Sequence, residues 1–122
     1  MAEHNDFGFW GEEKAAQYLE QKGLKILRRN WKCGHRDIDI VASDGKEVII
    51  VEVKTRRESC ILEPERAVDR KKIKSLTIAA NSFVHKEQIN LPLRFDIVAV
   101  TRHENDECTI NHIEDAFLPL AF

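Results

Sequence analysis

Apolar residues recur along this chain with two periods, and the changes between them mark out its elements. From Gly11 to Lys22 the residues Glu12, Ala15, Ala16 and Leu19 fall on one stripe, and Glu13, Gln17 and Glu20 take the other side. That is a helix, which Gly23 ends. Alternation then takes over. Leu24 to Trp31 holds a short apolar and basic strand, and the stronger runs Asp37–Ala42 and Glu47–Arg56 are divided by Ser43-Asp44-Gly45, a hairpin signal. Pro64 opens a second helix through about Val84, with Val68, Leu76, Ala80 and Phe83 as its apolar stripe and Lys72 set among them. Pro92 ends the following connection, and Leu93–Thr101 and Thr109–Ile113 are the last strands, either side of a polar turn from Arg102 to Glu107. The order α-β-β-β-α-β-β is that of an α/β protein, and 122 residues without repeat or linker suit a single domain, 1–122.

Two of these strands carry charge where packing alone would prefer none. With Asp44-Gly45 as a two-residue turn, Ser43 stands opposite Lys46, Val41 opposite Val48, Asp39 opposite Ile50 and Asp37 opposite Glu52. Asp37, Asp39, Glu52 and Lys54 then emerge on one sheet face. Asp39 and Glu52 become diagonal neighbours, with β-carbons roughly 7 Å apart or a little less. Without a cation they repel, and each resists ionisation beside an apolar core. Hard oxygen ligands suit Mg²⁺, which takes one or two carboxylates, keeps several waters and accepts a substrate phosphate. The same spacing also suits an ordinary cross-strand ion pair between Lys54 and an acid, and the residue pattern leaves both readings open.

Composition narrows the class. No run approaches the roughly 20 apolar residues of a membrane span, and the first residues have neither a basic nor an apolar leader region, so a cytoplasmic protein with no membrane partner is expected. Cys33, Cys60 and Cys108 are odd in number and form no C-x-x-C pattern, which argues for reduced thiols rather than disulfides or a zinc knuckle. The net charge is −2, yet Lys22 to Arg36 carries six cations and no acid. A second basic group includes Arg56, Arg57, Arg66, Arg70, Lys71, Lys72 and Lys74, while acids gather at Glu104, Asp106 and Glu107. Such a distribution fits a solvated mixed surface or a stripe that tracks phosphates. Trp31, inside the first basic run, suits the core better than a stacking platform.

With these residues assembled, the chain resembles the PD-(D/E)xK, or restriction-endonuclease-like, nucleases. More closely, it resembles the YraN-like family of small bacterial proteins over nearly its whole length. The stretches that carry this are GFWGEEKAAQYLEQKGLKILRRNW, DIDIVASDGKEVIIVEVKTR, AVDRKKIKSLTIAA and RFDIVAV, in the family's order. The resemblance implies a mixed β-sheet flanked by helices, with a metal-binding Asp on the second strand and E-x-K on the third, matching Asp39, Glu52 and Lys54. Related resolvase-like nucleases supply another acid from the N-terminal helix, matching Glu12. It further implies Mg²⁺ or Mn²⁺ held by Asp39, Glu52 and the backbone carbonyl of Val53, with Lys54 orienting water or stabilising phosphate charge. The implied reaction is phosphodiester hydrolysis in DNA, branched DNA included. Phosphate contacts fall to Arg28, Arg29, Lys32, Arg36, Arg56 and Lys72, and a homodimer is compatible with the pattern. Two departures stand out: Asp37 replaces the usual Glu, and His35-Arg36 replaces a glycine-rich approach, with His35 read as an exposed loop residue. Asp96 reads as half of a structural ion pair with a helix base. The alternative is a nucleic-acid-binding or assembly protein that keeps the fold without catalysis. A metal-dependent phosphoesterase for small nucleotides would need a closed pocket, and no glycine-rich phosphate loop supports it.

Overall fold

The computed structural model describes the backbone of residues 3–59 and 68–120, and side chains in those stretches from residue 6 onward. Helix α1 (Glu3–Gln21) precedes strands β1 (Lys25–Cys33), β2 (Arg36–Ser43) and β3 (Val48–Arg57). Helix α2 (Arg70–Lys86) and strands β4 (Leu93–Arg102) and β5 (Cys108–Ile113) follow. The sheet order is β1-β2-β3-β4-β5, with β3 and β4 parallel and the other neighbours antiparallel. Helix α2 forms the crossover that a parallel pair requires. The α-β-β-β-α-β-β order and mixed sheet are those of a restriction-endonuclease-like fold. No helix among the described residues is long and apolar enough to cross a membrane.

Each helix covers one face of the sheet. Ala15, Ala16 and Leu19 of α1 pack on Ile40, Ile49, Val51 and Val98. On the other face Leu76, Ala80 and Phe83 of α2 meet Val41, Val48, Ile50 and Phe95. Strands β3 and β4 are therefore buried on both sides, which is why they read as continuous apolar runs. Trp31 joins the α2 layer, edge-on to Phe83 with ring centroids 5.4 Å apart. Cys33 and Cys108 are free thiols, and Cys60 lies outside the described residues.

Helix α1 starts well before the expected Gly11, at Glu3. A β-carbon at Gly11 would collide with the Thr55 side chain, so this glycine lets the helix lie close against β3 rather than marking its start. Its other end is as expected: Gly23, at φ 91°, donates to the Glu20 carbonyl, and Leu24 donates to that of Leu19, closing the last turn. Helix α2 starts at Arg70, where Asp69 caps it by accepting the Lys72 N–H at 2.9 Å. Val68 is buried but precedes the helix, and Pro64 lies outside the described residues.

The β2–β3 turn is longer than a two-residue Asp44-Gly45 hairpin. Ser43 pairs with Val48 rather than Lys46, and Ile50 pairs with Val41 rather than Asp39. Side chains close the longer loop. Asp44 Oδ1 accepts the N–H groups of Lys46 at 2.9 Å and Glu47 at 2.8 Å, and Ser43 Oγ donates to the Glu47 carbonyl at 2.8 Å. The register moves by two residues, so strand parity is kept. Asp37 nevertheless no longer stands opposite Glu52; it forms a surface pair with Lys32 at 3.2 Å.

Candidate functional site

Alternation along β2 breaks at Asp39. Ile38 packs in the α2 layer and Ile40 in the α1 layer, although residues two apart in a regular strand share a face. On the β1 side Asn30 falls between the pairs Arg29↔Ile40 and Trp31↔Ile38, with a left-handed φ of 51° that Asn tolerates better than most residues. On the β3 side regular pairing ends at Ile40↔Val51, and Asp39 Oδ2 accepts the Val53 N–H at 2.8 Å beyond it. The Asp39 side chain therefore reaches across to β3 instead of standing on a flat face.

Glu52 alternates with Val48 and Ile50, so it projects toward α2, where it is 4% exposed. Two lysines meet one of its oxygens: Lys54 Nζ lies 3.3 Å and Lys72 Nζ 3.8 Å from Glu52 Oε2. Asp39 and Glu52 lie close enough to interact, and the Asp39 charge opposes ionisation of Glu52. Burial, then the charge of Asp39, pushes the Glu52 carboxyl up to about 7 against the pull of both lysines. Burial raises Asp39 as well, in spite of the Val53 N–H and Lys72. The two acids titrate as a pair.

Glu12 approaches from α1, on the other face of the sheet. Its carboxyl is raised by burial and by the charge of Asp39, while a hydrogen bond with Asn30 pulls it back. Glu12 thus joins the group through Asp39. Asn30, which sequence reasoning passed over, sets the left-handed step opposite Asp39 and lowers the Glu12 carboxyl. An Asn inside an apolar and basic strand is the available signal.

A match to the model of the uncharacterised protein family UPF0102 covers residues 11–100, which contain Glu12, Asp39, Glu52, Lys54 and Lys72. The chain belongs to this family. It is 48% identical over 122 residues to a UPF0102 protein of Bacteroides thetaiotaomicron, covering 100% of both chains. A UPF0102 protein of Phocaeicola vulgatus is 47% identical over 119 residues, 98% of each chain. One of Flavobacterium psychrophilum is 43% identical over 117 residues, 96% of this chain and 98% of its own. The YraN-like resemblance is to this same family.

In this UPF0102 chain the expected phosphate-binding cations do not share one face. Arg28 pairs with Glu87, just past α2, at 2.6 Å, whereas Arg29 pairs with Glu13 of α1 at 2.9 Å. Neighbours on a strand point to opposite sides, so one stripe cannot hold both. Lys32 pairs with Asp37, and Lys72 with Glu52. Arg36 and Arg56 have no carboxylate partner among the described residues, and the buried Nε of each lacks a hydrogen-bond acceptor. His35 is exposed in the β1–β2 turn. Asp96 is an ion-pair residue, but its partners are on strands rather than a helix. Arg94 donates to it from Nε at 2.9 Å and Nη2 at 2.8 Å, His112 Nε2 lies at 2.7 Å, and the Asp115 N–H donates at 3.0 Å.

Among the described residues no group of three or more His, Cys, Asp or Glu comes together to hold a metal. Two carboxylates and the Val53 carbonyl suit the smaller protein share that Mg²⁺ takes.

Proposed function

We propose that this UPF0102 protein is a metal-dependent nuclease that hydrolyses phosphodiester bonds in DNA in the cytoplasm. The carrying observation is the half-buried Asp39 beside the buried Glu52, with Lys54 and Lys72 Nζ 3.3 and 3.8 Å from Glu52 Oε2. Asp39, Glu52 and the Val53 carbonyl would hold Mg²⁺ or Mn²⁺. Such an ion, when bound, polarises a phosphate oxygen and makes its water a stronger nucleophile. The Val53 N–H keeps Asp39 in place through Oδ2, which leaves Oδ1 for a ligand. Lys54, 27% exposed, compensates charge growing on the phosphate, and Lys72 supports it from the first turn of α2. Glu12 positions water from the α1 side.

One observation favours the second reading, a DNA-binding protein without catalysis: both lysines already lie within ion-pair distance of Glu52. A single experiment separates the two. Asp39→Asn with Glu52→Gln is expected to abolish metal-dependent cleavage, because amides are poorer ligands for hard cations, while DNA affinity in EDTA holds or improves. Lys54→Met is expected to keep metal binding and lose cleavage by about 10² or more. Parent-like rates in both folded variants would reject the nuclease; a parent that binds DNA and cuts no single-stranded, duplex or branched polymer would favour the binding protein.

A further inference from the structure

On the α1 face, at the ends of β3 and β4, two aromatic rings meet two arginines. Phe7 and Trp10 stack with planes 8° apart and centroids 5.9 Å apart. The Arg57 guanidinium lies 4.6 Å over Phe7, and that of Arg102 lies 5.3 Å over Trp10. The two arginines are direct partners in the β3–β4 register. Like charges in such positions repel unless something offsets them. Asp106 pairs with Arg102 at 2.7 Å, but Arg57 has no carboxylate partner among the described residues. A cleft of about 440 Å³ opens here, lined by Asp6, Phe7, Trp10, Arg57 and Arg102.

The cations continue round the end of the sheet. Arg56 alternates with Arg57 and so takes the α2 face, with Lys54 and Glu52, and its buried Nε has no acceptor. Arg57, Arg56 and Lys54 thus lead from the aromatic pair toward the acid pair. Arg57 stands three residues beyond Lys54, about 10 Å along a strand, which is the rise of about three stacked nucleotides.

We propose that Phe7, Trp10, Arg57 and Arg102 form a platform for an unpaired nucleotide of a DNA strand. The ring and guanidinium planes stack the base, and the arginines hold its phosphate. This rests on the nuclease reading and narrows its substrate to DNA with unpaired bases beside the point of attack. Paired bases keep their faces inside the duplex, so the platform distinguishes single strands from duplex.

Anisotropy titrations in EDTA with labelled oligothymidylate, and with a blunt duplex of equal length, test it. Phe7→Leu and Arg57→Ala are each expected to weaken single-strand binding about fivefold or more and to leave duplex binding within about twofold. Trp10 also packs against the core, so it is read by fluorescence instead. Oligothymidylate is expected to quench the parent, and Trp10→Phe to remove that quench because Trp31 is packed on Phe83. Equal losses on single strand and duplex would overturn the platform. So would unchanged single-strand affinity in folded Phe7→Leu, a quench that survives Trp10→Phe, or a parent that binds no single strand. Cleavage assays keep the two ideas apart: metal-dependent cutting that needs Asp39 and Glu52, with parent-like binding by the Phe7 and Arg57 variants, removes the platform alone. Loss of single-strand binding in those variants, with a parent that never cuts, removes the nuclease alone.

Discussion

Asp96 on β4 and Glu52 on the neighbouring β3 are both buried, yet their carboxyl groups titrate far apart. Burial raises each of them. At Asp96 that effect is outweighed by hydrogen bonds from His112, Arg94 and the Asp115 N–H, which bring it down to about 2. At Glu52 the neighbouring Asp39 adds to burial, two lysines fall short of cancelling both, and the carboxyl rises to about 7. The difference lies in partners. Asp96 has donors for both oxygens, and the network continues, since Tyr18 Oη lies 3.1 Å from His112 Nδ1. That chain ties β5 to β4 and to α1. The acid pair is instead left with more negative charge than its surroundings satisfy, as expected where a ligand is to supply the balance.

The largest expected effect attacks the satisfied acid. Asp96→Ala leaves Arg94, 16% exposed, and His112, 4% exposed, without their shared anion, and chemical denaturation is expected to show a loss of about 3–5 kcal/mol. The same acid gives the chain an acid limit. Its folded value of about 2 lies below the ordinary 3.8, so its contribution is complete above about pH 4 and is lost as pH falls through about 2. An Asp96→Asn variant whose acid limb matches the parent's would contradict this account.

Glu52→Gln sharpens the contrast from the other side. Its folded value of about 7 exceeds the ordinary 4.5, so ionising it destabilises the parent progressively from about pH 4.5 and fully above about 7. In EDTA at pH 8 the Gln variant is expected to be the more stable, by at most about 3 kcal/mol, with the gain vanishing near pH 4. Equal stability differences at pH 4 and pH 8 would sink the idea. The smallest effect belongs to Tyr18→Phe, which removes one hydrogen bond from His112 and is expected to cost about 1 kcal/mol by denaturation while leaving DNA affinity unchanged.

The element order and the two helical stripes were legible because periodicity is local. The placing of Glu52 and Lys54 on one face was legible too, since residues two apart in a strand share a face. The early start of α1 was not: Phe7 and Trp10 are held by Arg57 and Arg102, which arrive from two strand ends. Nor was the reversal at Asp39, which joins the left-handed Asn30 on one neighbouring strand to the Val53 N–H on the other. The sequence by itself determined which charges this protein carries and the spacing that lets acids and lysines meet. Tertiary structure alone decided which charges are spent. Arg28 finds Glu87, 59 residues away, and Arg29 finds Glu13, 16 away on the opposite face, because a strand sends neighbouring side chains to different layers. No local pattern encodes which helix will cover each face.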